Sequence, residues 1–226
     1  MTGDTRRAVL FDAVGTLIRL HEPVGDTYAR FAHQAGVEIA AARLQAAFAD
    51  ALQRAPQMVF PGLPPAAVAA REREWWRNLV SAVFAAAGPM ERFGAFDAVF
   101  AQLWEYYAGA AAWAVTPGAV ELLQALRARG LRTGMVSNFD HRLPALLDAL
   151  GLAALLEVVV LPADAGAAKP DPRIFAVALA RLGVRAAAAV YVGDDADDDI
   201  AGAERAGLRA VDVTGVEDLR SLTSRL

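Results

Sequence analysis

With 226 residues, 56% of them hydrophobic and 21% charged, the chain has apolar material for a full core plus an insertion and too little charge for a disordered one. A net charge of −4 offers no basic surface to nucleic acid or to an anionic membrane, which argues against both as partners. The lack of cysteine excludes disulfides and thiolate metal sites and fits a reducing compartment.

The stretch MTGDTRRAVLFDAVG carries no long apolar core of a signal peptide, and no uninterrupted apolar segment reaches spanning length, so a cytoplasmic protein is expected. Within it, Ala8 to Phe11 reads as a short buried strand that ends at Asp12, with Gly15 and Thr16 close behind. From about Pro23 to Trp113 the texture changes to Ala-rich and aromatic-rich, helical in period and without a convincing strand. Trp75, Leu79, Val83 and Phe84 recur at spacings near three and four, as on a helix packing against other helices. The prolines of PGLPP, Pro61 to Pro65, divide this region into helical hairpins, and Leu17 to Pro23 and Ala112 to Pro117 serve as its connectors.

Beyond the second connector, helices and strands alternate. Helical patterns at Pro117 to Gly130, Arg142 to Leu150, Pro172 to Leu182 and Asp198 to Ala206 are interleaved with strand patterns at Leu131 to Val136, Val158 to Leu161, Ala189 to Val192 and Leu208 to Val213. Such alternation predicts an α/β fold with a parallel sheet and crossover helices. Residues 1–18 and 115–226 form that core, and residues 19–114 an inserted all-helical unit.

Several strand ends carry chemistry. Asp12 ends the first strand, at the edge where ligands collect in open α/β sheets, although an aspartate there most often caps a turn. Ser137 and Asn138 follow LRTGMV and offer a hydroxyl and an amide, or a cap for the next helix. Lys169, the chain's only lysine, lies in AAKPDPRIF. The strongest local signal is YVGDDADDDIAGA, where Asp194, Asp195, Asp197, Asp198 and Asp199 crowd beyond a strand. Some of these suit a helix start, but so many close carboxylates repel unless protonated, solvated or neutralised by a cation. Hard oxygen donors without His or Cys favour Mg²⁺ over zinc.

Aspartate, Ser/Thr, Lys and a GD-containing acidic motif, in this order at strand ends, resemble the haloacid dehalogenase-like (HAD) superfamily over nearly the whole chain. The resemblance implies a Rossmann-like parallel sheet with helices on both faces and a helical cap, residues 19–114. It implies that Asp12 is the nucleophile that takes a phosphoryl group, that Ser137 bonds a phosphoryl oxygen and that Lys169 offsets the charge. Backbone N–H groups around Gly15, Thr16 and Asn138 add phosphate donors. The resemblance further implies that Mg²⁺ is held by Asp12, the Val14 carbonyl and Asp194, with Asp199 as a further ligand or an orienter. The implied substrate is a small phosphorylated metabolite.

Val14 departs from the pattern, because family phosphatases carry at that position an aspartate that protonates the leaving oxygen and then activates water. Its loss removes roughly 10²–10⁴ in rate. His21, Glu22 and His141 are the nearest substitutes by sequence, each also readable as an ordinary polar loop residue, and Asp140 as a helix cap. Two other readings stand beside the phosphatase. A 2-haloacid dehalogenase also lacks the second acid and needs no metal, though it lacks this acidic run. A catalytically impaired binding protein would instead present REREWWRNLV, Arg71 to Val80, to a protein partner. A phosphonatase needs a lysine in the cap, and residues 19–114 contain none.

Overall fold

The computed structural model describes residues 7–88, 94 and 96–226. The first six residues, part of the stretch read for a signal peptide, lie outside it. In chain order the strands are β1 (Ala8–Phe11), β2 (Ile18–Leu20), β3 (Trp113–Val115), β4 (Arg132–Val136), β5 (Val158–Val160), β6 (Ala189–Gly193) and β7 (Arg209–Asp212). The helices are α1 (Val24–Gln34), α2 (Ala41–Arg54), α3 (Pro65–Ala87), α4 (Phe96–Ala108), α5 (Ala119–Ala128), α6 (Leu143–Ala149), α7 (Pro162–Ala165), α8 (Pro172–Leu182) and α9 (Gly202–Arg205).

All four residues of β1 are buried, as a strand covered on both faces requires, which is why it reads as one apolar run without alternation. The sheet order is β5-β4-β1-β6-β7, and every pairing is parallel. Phe11 stands level with Met135 of β4 and Val192 of β6. The residues just past β1, β4 and β6 therefore emerge at one edge. After β5 the chain crosses back over the sheet to enter β6, so the boundary between β1 and β6 is the point where the winding reverses and a crevice opens.

Leu10, Val136, Val160 and Tyr191 pack with Ile174 and Phe175 of α8 in the core of this unit. Helix α8 begins where the sequence places it, because Asp171 caps it by accepting from the Arg173 N–H at 2.9 Å while Pro172 needs no partner for a missing N–H. The helix expected from Asp198 differs. It begins as a π-helical turn, Ala196–Ala201, with the Ile200 N–H reaching back to the Asp195 carbonyl, and becomes α-helical only at α9.

The chain divides into two units. One comprises the described residues of Met1–Arg19 with Met58–Leu63 and Ala114–Leu226, and the other Leu20–Gln57 with Pro64–Trp113. The segment Met58–Leu63, which the sequence pattern assigns to the insertion, groups with the sheet. It is not helical, and it lies between Pro56, which follows the end of α2, and Pro64 and Pro65, which open α3. In the helical unit Tyr28 stacks on Phe84 at 5.5 Å, and Leu44, Val83, Phe100 and Leu103 complete the core. Trp75 and Trp76 meet each other edge to face at 5.0 Å and pack half-buried against that core, and the Trp75 indole N–H donates to the Pro56 carbonyl. The connectors contribute β2 and β3, which pair as a two-stranded ribbon. No helix among the described residues is long and apolar enough to cross a membrane.

Candidate active site

Asp12 is fixed by its own backbone, whose N–H donates to the Val192 carbonyl at 2.9 Å and so ties the end of β1 to β6. Lys169 reaches it from the loop after α7. Asn138, just past β4, holds the backbone of that loop from both sides. Its Oδ1 accepts from the Lys169 N–H at 2.7 Å, and its Nδ2 donates to the Lys169 carbonyl at 3.0 Å. The lysine side chain is 4% exposed. Its Nζ donates to Asp12 Oδ1 and to Asp199 Oδ1, each at 2.6 Å, and to the Tyr191 hydroxyl at 3.1 Å.

Asp199 is itself anchored. Its Oδ1 also lies 3.0 Å from the Tyr191 hydroxyl oxygen, and its Oδ2 accepts the backbone N–H groups of Asp194 and Asp195, both at 3.1 Å. A side chain at Gly193 would leave no room for this, since a Cβ there would stand 2.4 Å from Asp199 Oδ2. Asp194 is oriented by Thr16, whose hydroxyl donates to its Oδ1 at 3.0 Å. Gly15 lets the carboxylate approach. Its φ is +92°, in the left-handed region, and a Cβ would lie 2.2 Å from Asp194 Oδ2.

Oxygens of Asp12, Asp194 and Asp199 lie within 4.8 Å of one another. When all three are ionised they face one buried ammonium, which leaves an excess of two negative charges in a poorly hydrated site. Burial pushes the Asp12 carboxyl up to about 6; the Lys169 ammonium opposes that rise and the Asp199 charge adds to it. Asp194 is also raised, by burial first, against the hydrogen bond from Thr16. Burial alone would depress Lys169, but Asp12 and Asp199 outweigh it and hold the amine above its ordinary value, so it stays charged.

Residues 6–207 match the sequence profile of the haloacid dehalogenase-like hydrolase family. The chain belongs to this family. Among its relatives is haloacid dehalogenase-like hydrolase domain-containing protein 3 of Mus musculus, 37% identical over 217 residues that cover 95% of this chain and 84% of the mouse protein. Among the solved structures similar to this chain, two are each 26% identical to it. A HAD phosphatase from Thermococcus onnurineus superimposes with a TM-score of 0.60 over 91% of this chain and 85% of its own. A 2-haloacid dehalogenase from Pseudomonas syringae pv. Tomato gives 0.58 over 92% and 86%.

In this HAD-like hydrolase the residues named from sequence fall as follows. Asp12, Lys169, Asp194 and Asp199 form one cluster. Ser137 is buried at the end of β4, its Oγ accepting from the Phe139 N–H at 3.3 Å. Asn138 and Thr16, read as phosphate donors through their N–H groups, use their side chains to set Lys169 and Asp194. The Val14 side chain is 37% exposed and carries no proton to give. Asp195 caps the π turn by accepting from the N–H groups of Asp197 and Asp198. Asp140 accepts from the Arg142 N–H at 3.0 Å and pairs with its guanidinium. Glu22 accepts from Arg30, from Thr27 and, more weakly, from Tyr106, and the Arg30 bond above all holds its carboxyl below the usual range, so it is ionised at neutral pH and no proton donor.

Tyr191 escapes the sequence reading. Its signal is there: a phenol in the middle of a buried strand, AVYVG, must find a partner for its hydroxyl.

Proposed function

We propose that this hydrolase is a Mg²⁺-dependent phosphatase that transfers the phosphoryl group of a small phosphorylated metabolite to Asp12, in the cytoplasm. The observation that carries this reading is the charge at the site, three close carboxylates against one ammonium. That excess is costly in a buried cluster and is matched by a divalent cation, and a donor set made only of oxygen suits Mg²⁺. Asp12, Asp194 and the Val14 carbonyl are the groups proposed to hold it. Asp199 is assigned to orienting Lys169, because both of its oxygens already accept protein N–H or O–H groups. A bound divalent ion would screen the repulsion between carboxylate and phosphate and polarise the phosphoryl oxygens.

In the reaction an Asp12 oxygen bonds to phosphorus as the bond to the leaving oxygen breaks, and water then hydrolyses the aspartyl-phosphate. Lys169 stays beside the reacting carboxylate and offsets charge as it moves onto the phosphoryl group. Ser137 and the N–H groups near Gly15 bind phosphoryl oxygens. Val14 gives the leaving oxygen no proton, so leaving groups stable as anions are favoured. The helical unit is read as a cap that selects the substrate.

The dehalogenase reading draws on Val14 and on the Pseudomonas syringae neighbour. Both are tested by assaying p-nitrophenyl phosphate, acetyl phosphate, alkyl phosphates and 2-chloropropionate with and without Mg²⁺. Metal-dependent phosphate release, fastest from acetyl and p-nitrophenyl phosphate, supports the phosphatase. Metal-independent chloride release overturns it.

A further inference from the structure

The Tyr191 hydroxyl stands at the centre of the buried polar cluster. Its oxygen is 3.1 Å from Lys169 Nζ, 3.0 Å from Asp199 Oδ1 and 2.8 Å from the Val136 carbonyl. An ammonium can only donate, so the phenol oxygen accepts from Lys169, and its single proton goes to the carbonyl or to Asp199. Burial, followed by the Asp12 and Asp199 charges, holds the phenol well above its ordinary range, so that proton stays in place.

Lys169 has three N–H bonds, and this site gives them three acceptors. Two carboxylates alone would let the ammonium turn about its last bond and exchange its donors between Asp12 and Asp199. A third, uncharged acceptor on strand β6 takes the remaining N–H without competing for charge, and it stops that rotation.

We infer that Tyr191 is a positioning residue, whose hydroxyl fixes the Lys169 ammonium so that one N–H stays directed at Asp12 while the carboxylate reacts. The inference rests on the phosphatase reading above and deepens the part Lys169 plays in it. The ring has separate work. It meets Phe175 edge to face at 5.0 Å and lies 5.7 Å from Lys169 Nζ. Phenylalanine keeps both contacts, so Tyr191→Phe removes the hydroxyl alone.

Because Lys169 is the only lysine, protein labelled with ¹⁵N-lysine gives a single side-chain ammonium signal, and exchange of its protons with water reports how firmly they are held. In wild-type protein that signal is expected to be visible at neutral pH; its absence would overturn the inference without any variant being made. In Tyr191→Phe the protons should exchange at least about tenfold faster, and kcat on p-nitrophenyl phosphate should fall about tenfold with KM within roughly twofold. Thermal melting checks that the variant is folded. Unchanged exchange overturns the inference whatever the activity. Faster exchange with an unchanged kcat overturns the positioning role, since the bond would then be structural only. Should wild-type protein hydrolyse no phosphate ester, the phosphatase reading fails and exchange alone decides: a faster rate in Tyr191→Phe upholds the hold on Lys169, and an equal rate overturns it.

Discussion

Val14 lies two residues past Asp12, half-exposed, with a side chain that can neither donate nor accept a proton. Under the proposed phosphatase reading, an acid at this position would supply the leaving-group proton that Val14 cannot. Val14→Asp is therefore expected to raise kcat on alkyl phosphates by about 10² or more, and to change acetyl phosphate turnover far less, since its leaving group needs no proton. Comparing the two substrates in one kinetic series separates this effect from a general gain. Asp12 makes a second prediction. Folded Asp12 keeps its proton up to about pH 6, whereas the unfolded chain releases it near 3.8. The folded state binds more protons in that window, so its stability falls as pH rises through it. In metal-free buffer, wild-type protein should lose on the order of 2 kcal/mol relative to Asp12→Asn between about pH 4 and 6, measured by denaturant titration.

At the scale of elements, the π turn and the end of β6 work together. Asp195 accepts the N–H groups of Asp197 and Asp198 at the start of the turn, and Asp199 points back onto the N–H groups of Asp194 and Asp195. Gly193→Ala would drive a Cβ into Asp199 and pull it from Lys169. The expected cost is about 1–3 kcal/mol of stability, read as a lower denaturation midpoint, with a parallel fall in kcat. The strands of the sheet were legible from their apolar runs to within a residue or two, because a strand buried on both faces, as β1 is, has a plain signature. The ribbon β2–β3 was not, since three-residue strands in a connector carry no period. The π turn was hidden too: five aspartates in six positions announce an acidic site but not which of them turns inward.

For the whole molecule, the site is assembled from segments more than 150 residues apart, with Asp12 and Lys169 brought together across the sheet. Such a cluster should respond to a cation as a unit. At about 100 times its Kd, Mg²⁺ should stabilise the folded chain by about 2.7 kcal/mol. Chelation should reverse the rise in melting temperature, and Asp194→Asn should largely abolish it.

The sequence by itself determined the parallel α/β class, the helical insertion and the chain order of the four motifs, three of them at strand ends, because strand burial, helix capping and close carboxylates are local patterns that survive in one dimension. Only the tertiary structure decided which groups those residues meet. That Asp199 meets Lys169, that Asn138 meets the Lys169 backbone and that Tyr191 lies beside both Lys169 and Asp199 depend on which hydrogen-bonding groups come together across β4, β1 and β6. That meeting is fixed by strand order and register, which no single segment of the chain contains.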